Sequence, residues 1–345
     1  MPVRFRPSSL VPLLIAALIV MASYARAAVA PDSSRWVMKC VSTVTLQQSA
    51  YSDNWSGGDR GSWTWVARFN AEAERQWTRR LNLSHQLEVS YGQTSKQELD
   101  PADADRRVWL PPSKTNDRLL FETLARFTLD RPLDPYASLR VESQFLDQSQ
   151  PNGTIMVNPI RLKLSAGISR VFLDAADRGL SARLGVGGRL TTGRNFDVLP
   201  PERHTARYTN RDLGVDAILE GRTPLAGDRM GLRGRLTLFQ PLVYSQADQL
   251  KLYDAFVAAV VPGHRPIARD WRTINVDLET TFTGRISRMF SVELFTRLVY
   301  IKFDTSASLD RREPIDVLVS QVERNVRRAG QLRQSLALAL SWRMF

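Results

Sequence analysis

From Trp36 to the C terminus, hydrophobic and polar residues alternate with period two in one segment after another. That is the mark of strands with one apolar and one polar face. Between Ser62 and Glu74, Trp63, Trp65, Ala67, Phe69, Ala71 and Ala73 share one face, and Thr64, Arg68, Asn70, Glu72 and Glu74 share the other. The next segment repeats the pattern, with Leu81, Leu83, Leu87, Val89 and Tyr91 set against Asn82, Ser84, Gln86, Glu88 and Ser90. Twelve such strands are predicted, at 36–47, 62–75, 79–92, 118–130, 135–147, 158–173, 179–194, 210–221, 229–244, 270–284, 289–304 and 330–345. Most are longer than the ~5–6 residues of a globular strand and reach the ~9–11 needed to cross a bilayer at a tilt. An even number is what a single-chain bacterial barrel requires.

The connections support the same fold class, an all-β transmembrane antiparallel up-and-down barrel of about 12 strands. Short turns at 75–79, 130–134, 174–179, 221–228 and 284–287 alternate with longer loops, including 93–117, 247–269 and 305–328. Short periplasmic turns and long external loops would put both termini in the periplasm. Lipid offers no hydrogen-bond partners, so a sheet that crosses it must close on itself, with apolar side chains outside and charges tolerated inside. Trp36, Trp63, Trp271, Trp342 and Phe345 fall near strand ends, where an interfacial aromatic girdle would lie.

The first residues read as an export signal. Arg4 and Arg6 precede an apolar run from Leu10 to Ala22, and Ala25-Arg26-Ala27 supplies small residues before a cut. The predicted divisions are a signal peptide at 1–27, a periplasmic segment at 28–35 and an outer-membrane barrel at 36–345. The tail resembles a terminal strand recognised by the outer-membrane assembly machinery. However, Leu336, Leu338, Leu340 and Trp342 are out of phase with Phe345.

Four pieces, Asn54-Trp55-Ser56-Gly57-Gly58, Ser90-Tyr91-Gly92, Lys114-Thr115-Asn116-Asp117-Arg118 and Ser143-Gln144-Phe145, resemble an uncharacterised outer-membrane barrel family, a domain of unknown function. The resemblance implies an exported barrel and carries no activity to transfer.

Charge and chemistry narrow the function less. The formal net charge of +12 raises a nucleic-acid reading, but no basic run with interleaved aromatics, zinc pattern or helix-turn-helix supports it. Outer-membrane lipid, lipopolysaccharide or a small anionic solute suits an exported chain better. The single cysteine, Cys40, excludes an intramolecular disulfide and a multi-cysteine metal site. No cofactor, metal site or catalytic residue is predicted. His85 has lipid-facing parity while Ser84 points inward. Glu202 and His204 are close in sequence but fall in a loop, and His264 lies in another.

Among the inward positions are Glu72, Glu74 and Glu88, and the sixth and seventh strands present Arg161, Lys163, Arg183 and Arg189 without an acid of their own. These four are candidates to line a route for anions, set against a network of charges that only satisfy one another. Two loops, at 248–261 and 314–328, have helical spacing and would cap the mouth or plug it, with a cap preferred. The leading reading is a non-enzymatic narrow channel or structural barrel. A membrane-embedded hydrolase of lipid or peptide, and a surface receptor or adhesin, are the alternatives.

Overall fold

A computed structural model describes residues 35–49, 60–100, 103–129, 131–150, 153–175, 177–196, 205–226, 229–260, 265–287, 289–305, 322, 326 and 329–343. The strands are β1 (Val37–Ser49), β2 (Ser62–Gln76), β3 (Leu81–Asp100), β4 (Asp103–Trp109), β5 (Ser113–Phe127), β6 (Asp134–Ser143), β7 (Leu146–Gln150), β8 (Gly153–Met156), β9 (Ile160–Asp174), β10 (Gly179–Phe196), β11 (Thr205–Pro224), β12 (Met230–Tyr244), β13 (Asn275–Arg285), β14 (Phe290–Tyr300) and β15 (Gln331–Arg343). One helix, α1 (Ala247–Val260), lies between β12 and β13. Twelve of the strands form a ring in which each pairs antiparallel with its neighbours, in the order β1-β2-β3-β5-β6-β9-β10-β11-β12-β13-β14-β15. Pairing of β1 with β15, from Val41 against Arg343 to Thr45 against Ala339, closes it. β4 pairs only with the outer part of β3, and β7 with β8 makes a small hairpin of its own.

Connections of four to six residues after β2, β5, β9, β11 and β13 alternate with connections of eight residues or more. Val37 pairs with Glu74, so the start of β1 and the end of β15 lie at the short-turn end. The predicted signal segment at 1–27 and most of 28–35 lie outside the described residues, as do Asn54 to Gly58, Glu202, His204 and His264.

The alternation sorts side chains between two environments. Leu184, Val186, Leu213, Val215, Leu336 and Leu338 are exposed on the outer wall. Along β10 the outward row from Leu180 to Leu190 covers ten steps of roughly 3.3 Å, or about 25 Å of height at a ~40° tilt. That is the height of a lipid-facing apolar band. A belt this extensive is far beyond the few hundred Å² tolerated on a water-soluble surface. Trp36 and Trp77 mark its short-turn end and Trp63 its long-loop end, and all three are exposed. The rings of Trp36 and Phe121 flank His85 on the outer face, at 5.5 and 6.1 Å.

Inside, close packing begins at Tyr136. It stands opposite Gly167, which stands opposite Gly185, so one ring from β6 covers two glycines in a row. A Cβ on Gly185 would lie 2.6 Å from the Tyr136 Oη, so only glycine fits. The Tyr136 hydroxyl shares a 2.8 Å hydrogen bond with Ser165, and Ser165 donates to Asp216 at 2.9 Å.

At the long-loop end a second core forms. Leu250, Tyr253 and Val257 on α1 pack with Tyr244, Ile267, Trp271, Phe303 and Val322. The Asp254 carboxylate accepts from the Ile267 and Ala268 amides at 2.9 and 2.7 Å, fixing the chain that leaves α1. Marginal as an isolated helix in water, α1 is held by this apolar face. The predicted helix at 248–261 is therefore present one residue earlier. The predicted helix at 314–328 falls outside the described residues apart from Val322 and Val326.

Two expectations are corrected. The tenth strand does not start at 270. Asp270–Arg272 is a single 3-10 turn, and β13 begins at Asn275. Trp271 consequently lies buried against Tyr244, with ring centroids 5.8 Å apart, and not in an interfacial girdle. The cause is electrostatic as well as apolar, because Lys302 reaches the buried Asp270 carboxylate at 2.7 Å and pins the turn into the loop core. Trp342 pairs through its backbone with Ser42. Its side chain, and Phe345, lie outside what is described.

Candidate functional site: the barrel lumen

Strand parity places charged side chains inside, and barrel closure decides which of them meet. Glu122 on β5 is the main junction. It accepts from Arg140 of the adjacent β6 at 3.0 Å, from Arg183 of β10 at 3.3 Å, and from Arg235 of β12 at 2.9 and 3.1 Å. Arg118, four residues further up β5, reaches Glu88 at 3.5 Å, Glu142 at 3.7 Å and Glu279 of β13 at 3.4 Å. Arg233 meets Glu72 at 3.2 Å and Arg68 meets Glu293 at 3.3 Å.

These contacts cross the lumen. β5 and β13 are six places apart in a ring of twelve, so they stand on opposite walls. Twelve strands spaced ~4.8 Å apart and tilted ~40° would enclose a circle about 24 Å across, backbone to backbone. An Arg and a Glu in contact span only about 15 Å by standard bond lengths. The cross-section is therefore flattened, with β5 facing β12 and β13 across its short axis. Such pairs, partly desolvated and hydrogen-bonded on several sides, fix geometry more surely than they add stability.

Above this floor lies a chamber of about 320 Å³. Its wall includes Arg161 and Lys163 of β9, Arg189 and Thr191 of β10, Asn210 and Asp212 of β11, and Phe239 of β12. Its roof is the start of the β14–β15 connection, where Ile301, Asp304 and Thr305 line the space. Thr305 donates to Asp212 at 2.7 Å and accepts from Arg189 at 3.3 Å, so this segment spans the mouth from β14 to the β10–β11 wall.

The four bases proposed from sequence divide. Arg161, Lys163 and Arg189 share the chamber, while Arg183 sits lower, between Glu122 and Glu220 at 3.3 and 3.2 Å. Acids from neighbouring strands meet three of the four. Lys163 contacts Asp216 at 2.9 Å, and Arg189 holds Asp212 through two nitrogens at 2.8 and 2.5 Å while stacking 3.8 Å above the Phe239 ring. Arg161 forms no ion pair among the described residues. Of the three acids proposed, Glu72 meets Arg233 and Lys39, Glu88 meets Arg118, and Glu74 accepts from Asn82 at 3.0 Å. Glu122, Asp216 and Thr305 were not singled out. The first two carry inward parity, but their place at the centre depends on which walls face each other.

Three of the four sequence pieces noted above, at 90–92, 114–118 and 143–145, converge on one corner of the wall. Asp117 accepts from the Phe145 and Leu146 amides at 2.7 and 2.8 Å and from Lys114 at 3.2 Å. Lys114 also donates to Gln144 at 3.0 Å. Tyr91 packs edge-on against Phe145 and tilted against Trp65. At Gly92 a Cβ would come within 2.5 Å of the Trp65 carbonyl, and the ladder shifts register just beyond it. Arg118 completes the motif by pointing from this corner into the lumen. No group of three or more His, Cys, Asp or Glu residues that would hold a metal occurs among the described residues.

The protein thus belongs structurally to the closed antiparallel β-barrels with an apolar exterior. A family model described as a protein of unknown function (DUF3078) matches residues 46–148, the stretch that holds this corner and Arg118. No curated protein matches the chain. Among solved structures, an outer-membrane channel from Pseudomonas putida F1 aligns over 93% of this chain and 98% of its own, at 13% identity and a TM-score of 0.40. The translocator domain of the autotransporter NalP from Neisseria meningitidis aligns over 98% and 97%, at 8% identity and a TM-score of 0.38. The β domain of the Bordetella autotransporter BrkA aligns over 89% and 98%, at 13% identity and a TM-score of 0.32. Likeness at this level carries nothing about function, which has to be argued from the lumen itself.

Proposed function

We propose that the chain is a bacterial outer-membrane barrel, with both termini in the periplasm, that serves as a narrow non-enzymatic conduit for small solutes. The observation that carries this reading is the chamber of about 320 Å³ above the ion-paired floor, lined by charged and apolar side chains and roofed by Ile301, Asp304 and Thr305. A purely structural barrel has no need of such a space, and an open porin would not have its opposite walls tied together by Arg118–Glu279 and Arg235–Glu122. The export signal, the alternation of turn and loop lengths, and the apolar belt support the location. Membrane lipid and lipopolysaccharide are the partners of the outer wall, and the barrel assembly machinery is the partner during folding.

Reconstitution into planar bilayers tests the proposal. Small discrete conductance steps are expected for the native protein, and larger steps when Arg118 and Glu122 are both replaced by Gln. A sealed membrane in both cases would refute the conduit and leave a structural barrel.

A further inference from the structure

One inward base of the upper lumen, Arg161, meets no acid among the described residues, and the reason is visible in the register. Arg161 on β9 stands directly opposite Glu142 on β6, the partner that geometry would give it. Glu142 is already engaged, however, by Arg140 at 3.6 Å and Arg118 at 3.7 Å. The other cross-strand neighbour of Arg161 is Thr191, and beyond Thr191 in the same row comes Asn210. Both are neutral. In the row below, Lys163 and Arg189 are used by Asp216 and Asp212. Arg161 is therefore an exposed residue lining the chamber with no acid within ion-pair distance among the described residues.

A guanidinium in that position presents a planar fork of donors, which matches a carboxylate in two parallel hydrogen bonds. Thr191 beside it adds a hydroxyl donor on the same row. Two and three strands round the ring from β9, the lining also holds the buried inward-facing side chains Ile218 of β11 and Phe239 of β12, the latter with the ion-paired Arg189 stacked on one face. The volume is at the lower end of small-molecule sites, enough for on the order of ten non-hydrogen atoms. A lining in which Arg161 has no acid partner among the described residues, while an aromatic and an aliphatic side chain lie two to three strands away, selects for a single negative charge on a short apolar body.

We infer that the chamber is a binding site for a small organic monocarboxylate, with Arg161 holding the carboxylate and the Phe239–Ile218 side receiving the apolar part. This rests on the conduit reading, names its solute class, and makes the chamber a stopping point along the path.

The test uses the full-length mature barrel purified in detergent, with benzoate as the probe and benzamide as its neutral isostere, by isothermal titration calorimetry. Benzoate is expected to bind one per barrel and benzamide at least tenfold more weakly. Arg161→Gln should weaken benzoate at least tenfold, and Arg161→Lys, which keeps the charge without the fork, by less. Because Arg161 makes no ion pair among the described residues, the Gln variant should keep the native heat-modifiable gel mobility and β-sheet circular dichroism, so lost binding reads on the site. Equal binding of benzoate and benzamide, or benzoate binding unchanged in Arg161→Gln, would overturn the inference. Titration in detergent is independent of conductance. Binding without any conductance would sink the conduit and spare the site, and conductance without binding would do the reverse.

Discussion

Replacing Glu122 with Gln removes the one negative charge on which Arg140, Arg183 and Arg235 converge. The carboxylate is almost fully buried, so the loss is felt in a desolvated place. Breaking a buried ion pair from one side costs roughly 3–5 kcal/mol when the remaining charge has no other partner. Here each guanidinium keeps a second acid: Arg140 has Glu142 at 3.6 Å, and Arg183 and Arg235 have Glu220 at 3.2 and 3.0 Å. Glu220 is also more open to water, which screens what is left. The expected loss is therefore at the bottom of that range, about 3 kcal/mol. Guanidinium titration of the barrel in lipid vesicles measures it, as a lower midpoint with an unchanged slope. Glu74→Gln is the control, since among the described residues Glu74 accepts only from the Asn82 side-chain amide, and a change within about 0.5 kcal/mol is expected. The double variant Glu122→Gln with Arg235→Gln should destabilise by less than the sum of the singles, with a coupling of roughly 1–3 kcal/mol. A Glu122→Gln cost under about 1 kcal/mol together with strict additivity would mean that the junction is not holding the walls together.

Other expectations follow from other parts of the barrel. Leu184→Arg puts a charge in the middle of the apolar belt and should cost about 2–4 kcal/mol in the same vesicle titration; a near-zero cost would contradict a lipid-facing wall. Thr305→Val removes the hydrogen bonds to Asp212 and Arg189 that anchor the roof, so single-channel records should show more frequent openings with unchanged unit conductance. Unchanged open probability would show that this contact does not restrict the mouth. Asp117→Ala strips the charged acceptor from two amides and Lys114, a loss of about 2–3 kcal/mol locally. Limited proteolysis should then cut the β7–β8 hairpin faster, and identical cleavage rates would argue against its role as a clasp.

All twelve ring strands were legible from alternation, because lipid on one side and water on the other impose a strict period of two. The start of β5 at Ser113 and of β11 at Thr205 was not. There the strands run on past the apolar band, and the rows that continue its outward face, Ser113, Thr115 and Asp117 or Thr205, Arg207 and Thr209, are polar. β4, β7 and β8 were missed for the same reason. Trp271 misled in the opposite sense. An aromatic residue near a strand end fits a girdle, yet this one belongs to a loop core assembled from two connections that are distant in sequence. The chamber was only half readable. Parity gave Arg161, Lys163 and Arg189 as inward, but whether a base is neutralised depends on acids one or two strands away. Asp216, Asp212 and Glu142 sit at heights set by register, which alternation cannot supply.

The contacts that narrow the lumen are long-range in sequence as well as across the barrel. Arg235 and Glu122 are 113 residues apart, Arg118 and Glu279 are 161 apart, and Arg68 and Glu293 are 225 apart. A row of neighbouring strands can form hairpin by hairpin, but β5 cannot face β13 until the sheet has curled far enough to bring its edges, β1 and β15, together. Closing the barrel and narrowing it are therefore a single event, and the ion pairs themselves keep the lumen narrow. The stretch matched by the family model, residues 46–148, contributes only one side of this arrangement. It supplies Arg118 and Glu122 on one wall, held in place by the Asp117 corner, while Arg235 and Glu279 come from outside it. A motif confined to that stretch thus works as half of a lock. The other half has to be provided by whatever strands complete the ring, and in this chain β12 and β13 do so with one base and one acid placed opposite their counterparts.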